Sequence, residues 1–96
     1  MTSHIEIYLN SLSENILIID IKYIIITFLP DLTRFKNLKE LYCSYNELSS
    51  LPTLPKNLKI LDISYNRLSS LPTLPENLEK LNCSKNQLTS LPLHKT

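Results

Sequence analysis

"LKELYCSYNELSSLPTLPKN" (38–57) runs directly into "LKILDISYNRLSSLPTLPEN" (58–77), and that into "LEKLNCSKNQLTSLPLHKT" (78–96). The period is twenty residues, and the apolar positions recur without slippage. A unit of this length is a single supersecondary element that cannot bury its apolar side alone, so neighbouring copies must stack. Upstream, "ILIIDIKYIIITFLPDLTRFKN" (16–37) is a twenty-two-residue copy in which Asp20 falls on Asp62, Tyr23 on Tyr65, Leu29 on Leu71 and Pro30 on Pro72. Further upstream, "LNSLSENI" (9–16) matches "LPTLPENL" (71–78) at four of eight positions. The chain therefore divides into 1–15, a cap or partial repeat; 16–37, a diverged first repeat; 38–57 and 58–77, two regular repeats; and 78–96, a last, incomplete and uncapped one.

The repeat also disposes of a competing reading. "DIKYIIITFLPDL" (20–32) looks like half of a membrane anchor, but a spanning helix needs about twenty apolar residues. Asp20 and Lys22 interrupt the run. It is expected to be a repeat whose extra isoleucines cover the start of the stack.

One repeat carries enough physics to specify its shape. Around Leu41 and Cys43, Leu61 and Ile63, and Leu81 and Cys83 the side chains alternate as in a short strand with one buried face. After the Asn of each copy, Leu48 and Leu51 turn inward. "LPTLP" then forbids a helix, because Pro52 and Pro55 lack donors and hold φ fixed. Prolines three apart suit polyproline II, which has three residues per turn and sets Leu51 and Leu54 on one edge. Strands are expected on one side, extended polyproline-like segments on the other, and no regular helix in the repeats. Neighbouring copies would bond into a parallel sheet at about 4.8 Å per repeat. The chain has no glycine, so its turns are expected to rely on Asn, Ser and Pro.

The pattern L-x-x-L-x-[CI]-x-x-N-x-L-x-x-L-P resembles the leucine-rich repeat at the short end of its length range. Its P-x-L-P tail is similar to a subgroup found in bacterial effectors and in proteins of large DNA viruses that infect amoebae. The resemblance implies a solenoid with short parallel strands on the concave face and polyproline-like convex segments. It also implies that Asn46, Asn66 and Asn86 point inward and bond the backbone of adjacent loops. The first repeat has Ile24 in that register, so the ladder is expected to begin only at the second. Family members of this type present the concave surface to other proteins. Some bacterial relatives add a ubiquitin-ligase domain with a catalytic cysteine, which nothing after residue 92 could supply.

Composition excludes several functions. The net charge of +1 gives no electrostatic case for nucleic acid or an anionic membrane. The N-terminus lacks the basic region, apolar run and cleavage site of a secretion signal, which points to an intracellular protein. Two cysteines in such a chain suit a reducing compartment. Cys43 and Cys83 stand two repeats apart, roughly 10 Å, beyond the ~7 Å reach of a disulfide. They read as small buried hydrophobes, and no histidine has ligand spacing to either.

Asp20 and Asp62 share a column at a spacing a glycosidase could use, but an open sheet offers no apolar pocket to raise one pKa. His4 and His94 lie in opposite terminal segments, and no Ser–His–Asp grouping can be assembled. No enzyme, cofactor or metal is expected. "PTLP" (52–55, 72–75) formally satisfies P-x-x-P, yet its leucines are needed for the core.

What remains is the exposed sheet face. Across the copies its columns read Ile18, Glu40, Ile60, Lys80; then Asp20, Tyr42, Asp62, Asn82; then Lys22, Ser44, Ser64, Ser84; then Tyr23, Tyr45, Tyr65, Lys85. Three tyrosines in one column suit either an interface, since Tyr joins an apolar body to a polar tip, or a cross-strand ladder that stabilises the sheet. The expected function is non-enzymatic capture of a protein partner through Tyr23, Glu40, Tyr42, Tyr45, Asp62, Tyr65, Lys80, Asn82 and Lys85. The alternative is a structural piece that forms homo-oligomers through the C-terminal end, where Leu81, Cys83, Leu88 and Leu91 lack a cover.

Overall fold

Alternation at each repeat start produces four three-residue strands: β1 (Ile18–Asp20), β2 (Glu40–Tyr42), β3 (Ile60–Asp62) and β4 (Lys80–Asn82). The computed structural model in which they are seen describes residues 3–89. The strands form one parallel sheet in the order β1-β2-β3-β4, with Ile19, Leu41, Leu61 and Leu81 in register. The central side chain of β1, β2 and β3 is buried and its neighbours face outward. The result is a leucine-rich repeat solenoid measuring 34 × 25 × 18 Å.

Behind the sheet each repeat adds one side chain to each of several apolar columns. Ile21, Cys43 and Ile63 form one column, and Leu38, Leu58 and Leu78 another, all buried. Leu48 and Leu68 lie at zero exposure, with Ile26 and Leu88 partly buried at the two ends of that column. Burying a side chain of this size stabilises by about 1.5–3 kcal/mol. Leu81, Cys83 and Leu88 of the last repeat are only half-buried, whereas Leu61, Ile63 and Leu68 are sealed. Leu91 and His94 lie outside the described residues.

Segments 51–55 and 71–75 run without helix or strand, as their prolines demand. Each closes on a turn in which Leu58 N–H donates to Pro55 O (3.3 Å) and Leu78 N–H to Pro75 O (3.2 Å). Ile16 N–H donates to Ser13 O at 3.2 Å in the same register, so the tail of 9–16 folds as the tail of a repeat does. The two extra residues of the first repeat, Thr33 and Arg34, sit in a tight turn capped by Asp31. Its carboxylate accepts from Thr33 N (2.9 Å) and Thr33 Oγ1 (2.8 Å). Phe35, fully buried, then occupies the register of Pro55, with Leu38 N–H donating to its carbonyl.

Three expectations need correction. The start of the stack is covered not by the extra isoleucines but by α1 (His4–Asn10), whose Ile5 and Leu9 are buried in the core. Ile18, Ile24 and Ile25 remain exposed. Seven residues are too few for a self-supporting helix. This one is fixed by that packing and by a capping box: Ser3 Oγ accepts from Glu6 N–H (3.3 Å), and Glu6 Oε1 accepts from Ser3 N–H (3.4 Å).

The second concerns the turns. Among the described residues Asn, Ser and Pro do not take the left-handed positions; Tyr23, Tyr45, Tyr65 and Lys85 do, at φ 56–60°, together with Ile25 at 56°. The residue before the Asn register must reverse the chain so that the next side chain faces inward. Without glycine a bulky residue takes that conformation, at a cost of roughly 1–2 kcal/mol each.

The third is the column Lys22, Ser44, Ser64, Ser84. Ser44 and Ser64 are buried, because the chain already curls inward after the strand. Ser64 Oγ donates to Asp62 Oδ1 at 2.7 Å.

Candidate functional site: the sheet face and its two ladders

Two side-chain ladders flank the turn that follows each strand. The inner one consists of Asn46, Asn66 and Asn86. Asn46 Oδ1 accepts from Ile24 N–H (3.1 Å) and Ile26 N–H (3.2 Å), while its Nδ2 donates to Ile21 O (3.0 Å), Cys43 O (3.1 Å) and Ser44 O (3.3 Å). Asn66 accepts from Leu48 N–H (3.0 Å) and donates to Cys43 O and Ile63 O, both at 3.1 Å. Asn86 accepts from Leu68 N–H (2.9 Å) and donates to Ile63 O at 2.9 Å. Every Asn serves the turn of the repeat before it. Left unpaired, such amides and carbonyls would each cost about 1–3 kcal/mol.

The outer ladder is the tyrosine column. Tyr23 and Tyr45 stack with ring centroids 4.4 Å apart, and Tyr45 and Tyr65 at 4.2 Å with planes 9° apart. Tyr23 is 65% exposed and the other two about 40% (41% and 43%). The hydrogen bond from Tyr45 to Tyr65, reinforced by burial and the neighbouring phenols, raises the Tyr45 pKa above the ordinary tyrosine value. Because the rings lie against one another, a ligand meets their edges and the outer face of Tyr23, not three open faces. Lys85 ends the column, exposed.

Between these ladders and the strand starts lies the outward face of the sheet. Tyr42 stands at its centre, with Asp20 and Asp62 beside it in register on the adjacent strands. Its hydroxyl donates to Glu40 Oε1 at 2.5 Å. That bond, then burial, then the charges of Glu40, Asp20 and Asp62 raise its pKa. The Lys22 ammonium sits 5.7 Å above the Tyr42 ring centroid and 3.6 Å from Asp20 Oδ2.

Asp62 and Asn82 have a second duty, since each Oδ1 accepts from the serine two residues on. Asp62 takes Ser64 N–H (3.1 Å) and Asn82 takes Ser84 N–H (3.2 Å) and Ser84 Oγ (2.8 Å). Glu40, Tyr42 and Asp62 are half-buried, and Lys80 and Asn82 exposed on β4. Thus Glu40, Tyr42, Asp62, Lys80 and Asn82 share the sheet face, whereas Tyr23, Tyr45, Tyr65 and Lys85 form a separate ridge at its edge.

Cys43 and Cys83 are both free thiols. Burial, with a smaller push from Asp62, raises Cys43 from 9.0 to about 12, so it is an inert thiol. Among the described residues no group of three or more His, Cys, Asp or Glu could hold a metal ion. No described helix is long and apolar enough to cross a membrane. His4 joins Ile5, Tyr8, Asp20, Ile21 and Ile24 around a groove of about 360 Å³ between α1 and β1. Sequence reasoning missed that groove, although "SHIE" (3–6) is a capping-box signal that could have revealed the helix. It also missed Lys22 as a neighbour of Tyr42.

Residues 36–76 match the family described as Leucine Rich repeats (2 copies), and residues 77–94 match Leucine Rich Repeat. The chain belongs to the leucine-rich repeat family. It is similar to a Shigella effector LRR domain of known structure, with 33% identity and a TM-score of 0.56. That match covers 85% of this chain and 46% of the Shigella domain, so the chain spans less than half of its length. No curated protein matched. Leucine-rich repeat domains are in general protein-interaction modules and are typically not enzymes.

Proposed function

We propose that the chain captures a protein partner on the outward, concave face of its sheet, inside a cell. The observation that carries this reading is Tyr42, a half-buried aromatic at the centre of that face with carboxylates on both neighbouring strands. Aromatic residues of this kind, ringed by polar groups, are the usual anchors of protein interfaces. The tyrosine ridge at the edge adds contact area while its rings support one another.

A photo-crosslinking residue placed at position 60 on the sheet, or at position 53 on the opposite side, tests the proposal. Thr53 lines a separate groove with Thr33, Lys36, Leu54, Pro55 and Lys56. Adducts from position 60 alone, lost on Tyr42→Ala with the thermal midpoint retained, support the sheet face. Adducts from position 53 alone reject it.

One observation favours a second reading, association of two chains through the C-terminal end: Leu81, Cys83 and Leu88 are only half-buried. Leu81→Glu would then give a folded monomer from a concentration-dependent oligomer, measured by light scattering. Unfolding instead would identify Leu81 as ordinary core.

A further inference from the structure

The sheet face is not electrically uniform. Asp20, Glu40 and Asp62 lie on β1, β2 and β3, while Lys80 is on β4 at the other end. The acidic half is centred on Tyr42, which interacts with all three carboxylates. Against them, among the described ion pairs, stands the ammonium of Lys22, seated over the Tyr42 ring and paired with Asp20. Both Lys22 and Asp20 are largely solvated, with side chains 41% and 53% exposed, so this contact is easily exchanged. Glu40 and Asp62 have no basic partner among the described ion pairs.

An aromatic face that already holds a cation, with two further carboxylates beside it, is complementary to a second cation. A guanidinium suits it best, being planar, weakly hydrated and able both to stack on a ring and to fork onto carboxylates. The parallel strands are spaced at about 4.8 Å, so an extended chain crossing them could address Asp62, Tyr42 and Asp20 in turn. We infer that the acidic half of the sheet face receives an arginine-bearing, extended basic segment of the partner, and that Lys22 is the internal cation it displaces from Tyr42. This rests on the reading of the sheet face as the capture surface and adds the chemistry of what is captured.

The probe is an acetylated, amidated tetra-arginine peptide, titrated at low ionic strength while backbone amide shifts are followed by NMR, with tetraglutamate as control. Shifts are expected at residues 20, 22, 40, 42 and 62, with none from tetraglutamate. Glu40→Gln with Asp62→Asn removes both charges and leaves the local bonds possible. Asn82 makes the equivalent bonds to Ser84 in the same register, so the turn tolerates an amide. That pair should weaken peptide binding about tenfold. Tyr42→Leu should weaken it with all charges retained.

Lys22→Gln gives the sharpest readout. Removing the internal competitor should tighten binding by about threefold, and that gain should vanish in the Tyr42→Leu background, where an effect of net charge alone would persist. Shifts centred elsewhere, unchanged affinity in the Glu40→Gln, Asp62→Asn pair, or no gain from Lys22→Gln would each overturn the inference. The crosslinking result is independent: adducts from position 60 with no peptide response at Tyr42 would reject the basic segment and keep the sheet face. Adducts from position 53 with a Tyr42 response would reject the sheet face as the capture surface, and with it the assignment of the segment to the partner, while keeping the arginine site beside Tyr42.

Discussion

The first repeat and the two after it share one strand register and differ in the turn that follows the strand. In 38–57 and 58–77 a left-handed Tyr is followed by an inward Asn; in 16–37 the left-handed Tyr23 is followed by Ile24, exposed, and a second left-handed residue, Ile25. A β-branched residue at positive φ is a true steric outlier. The turn nevertheless holds, because its amides at Ile24 and Ile26 bond to Asn46 of the next repeat. The difference shows what a repeat's turn requires: in 38–57 and 58–77 both its own Asn and that of the following copy bond it, but in 16–37 the following copy's Asn suffices. Ile24 is tolerated because α1, rather than another repeat turn, precedes the first repeat among the described residues.

The largest effect belongs to alkaline pH. Cys43 sits in the sealed column of the second repeat and ionises only at about 12 when folded, against 9.0 ordinarily. A raised folded pKa gives stability that is whole below pH 9 and is lost as pH climbs from 9 to 12. The loss is on the order of 4 kcal/mol at 1.36 kcal/mol per unit. The upward shifts of Tyr42 and Tyr45 act in the same direction. Urea midpoints between pH 8 and 11 should fall steeply, and Cys43→Ala, though less stable at pH 7, should show a flatter decline. An equal slope in both proteins would show that the thiol is not sealed.

Next in size is Asn66→Leu. It strands the buried Leu48 N–H and removes one of the two amide donors to Cys43 O, and should cost roughly 2 kcal/mol by chemical denaturation. Amide exchange should quicken at Leu48, in the repeat before the substitution. Quickening confined to residues after 66 would refute the idea that each Asn serves the preceding turn.

A smaller, opposite effect is expected at the left-handed residues. Lys85→Gly removes backbone strain and no ring contact, and should stabilise by about 1 kcal/mol. Tyr45→Gly removes the same strain together with two stacked neighbours, each worth about 0.5–1.5 kcal/mol. It should end near zero or below. A Tyr45→Gly gain equal to that of Lys85→Gly would mean the stack contributes nothing. Smallest is Ile24→Asn, within about 0.5 kcal/mol of the parent, because no described turn ahead of it needs an acceptor.

Much of this was legible in the residues. Leu41, Leu61 and the spacing of the three Asn fall on one face by periodicity alone, and Pro52 and Pro55 forbid a helix wherever they stand. Those are local properties, and a twenty-residue repeat turns local properties into a register for the whole stack. For that reason the sequence by itself determined the solenoid, its parallel strands, the buried columns and the family.

Tertiary structure decided the rest. Which residue carries positive φ depends on where the chain must reverse to aim Asn46 inward, and no propensity places a tyrosine there. Lys22 reaches Tyr42 on the adjacent strand, α1 covers a column end that any apolar segment could have covered, and Ser44 is buried by the inward curl after its strand. Each of these is set by contacts between repeats, between residues about twenty or more positions apart, and a sequence read one repeat at a time holds no record of them.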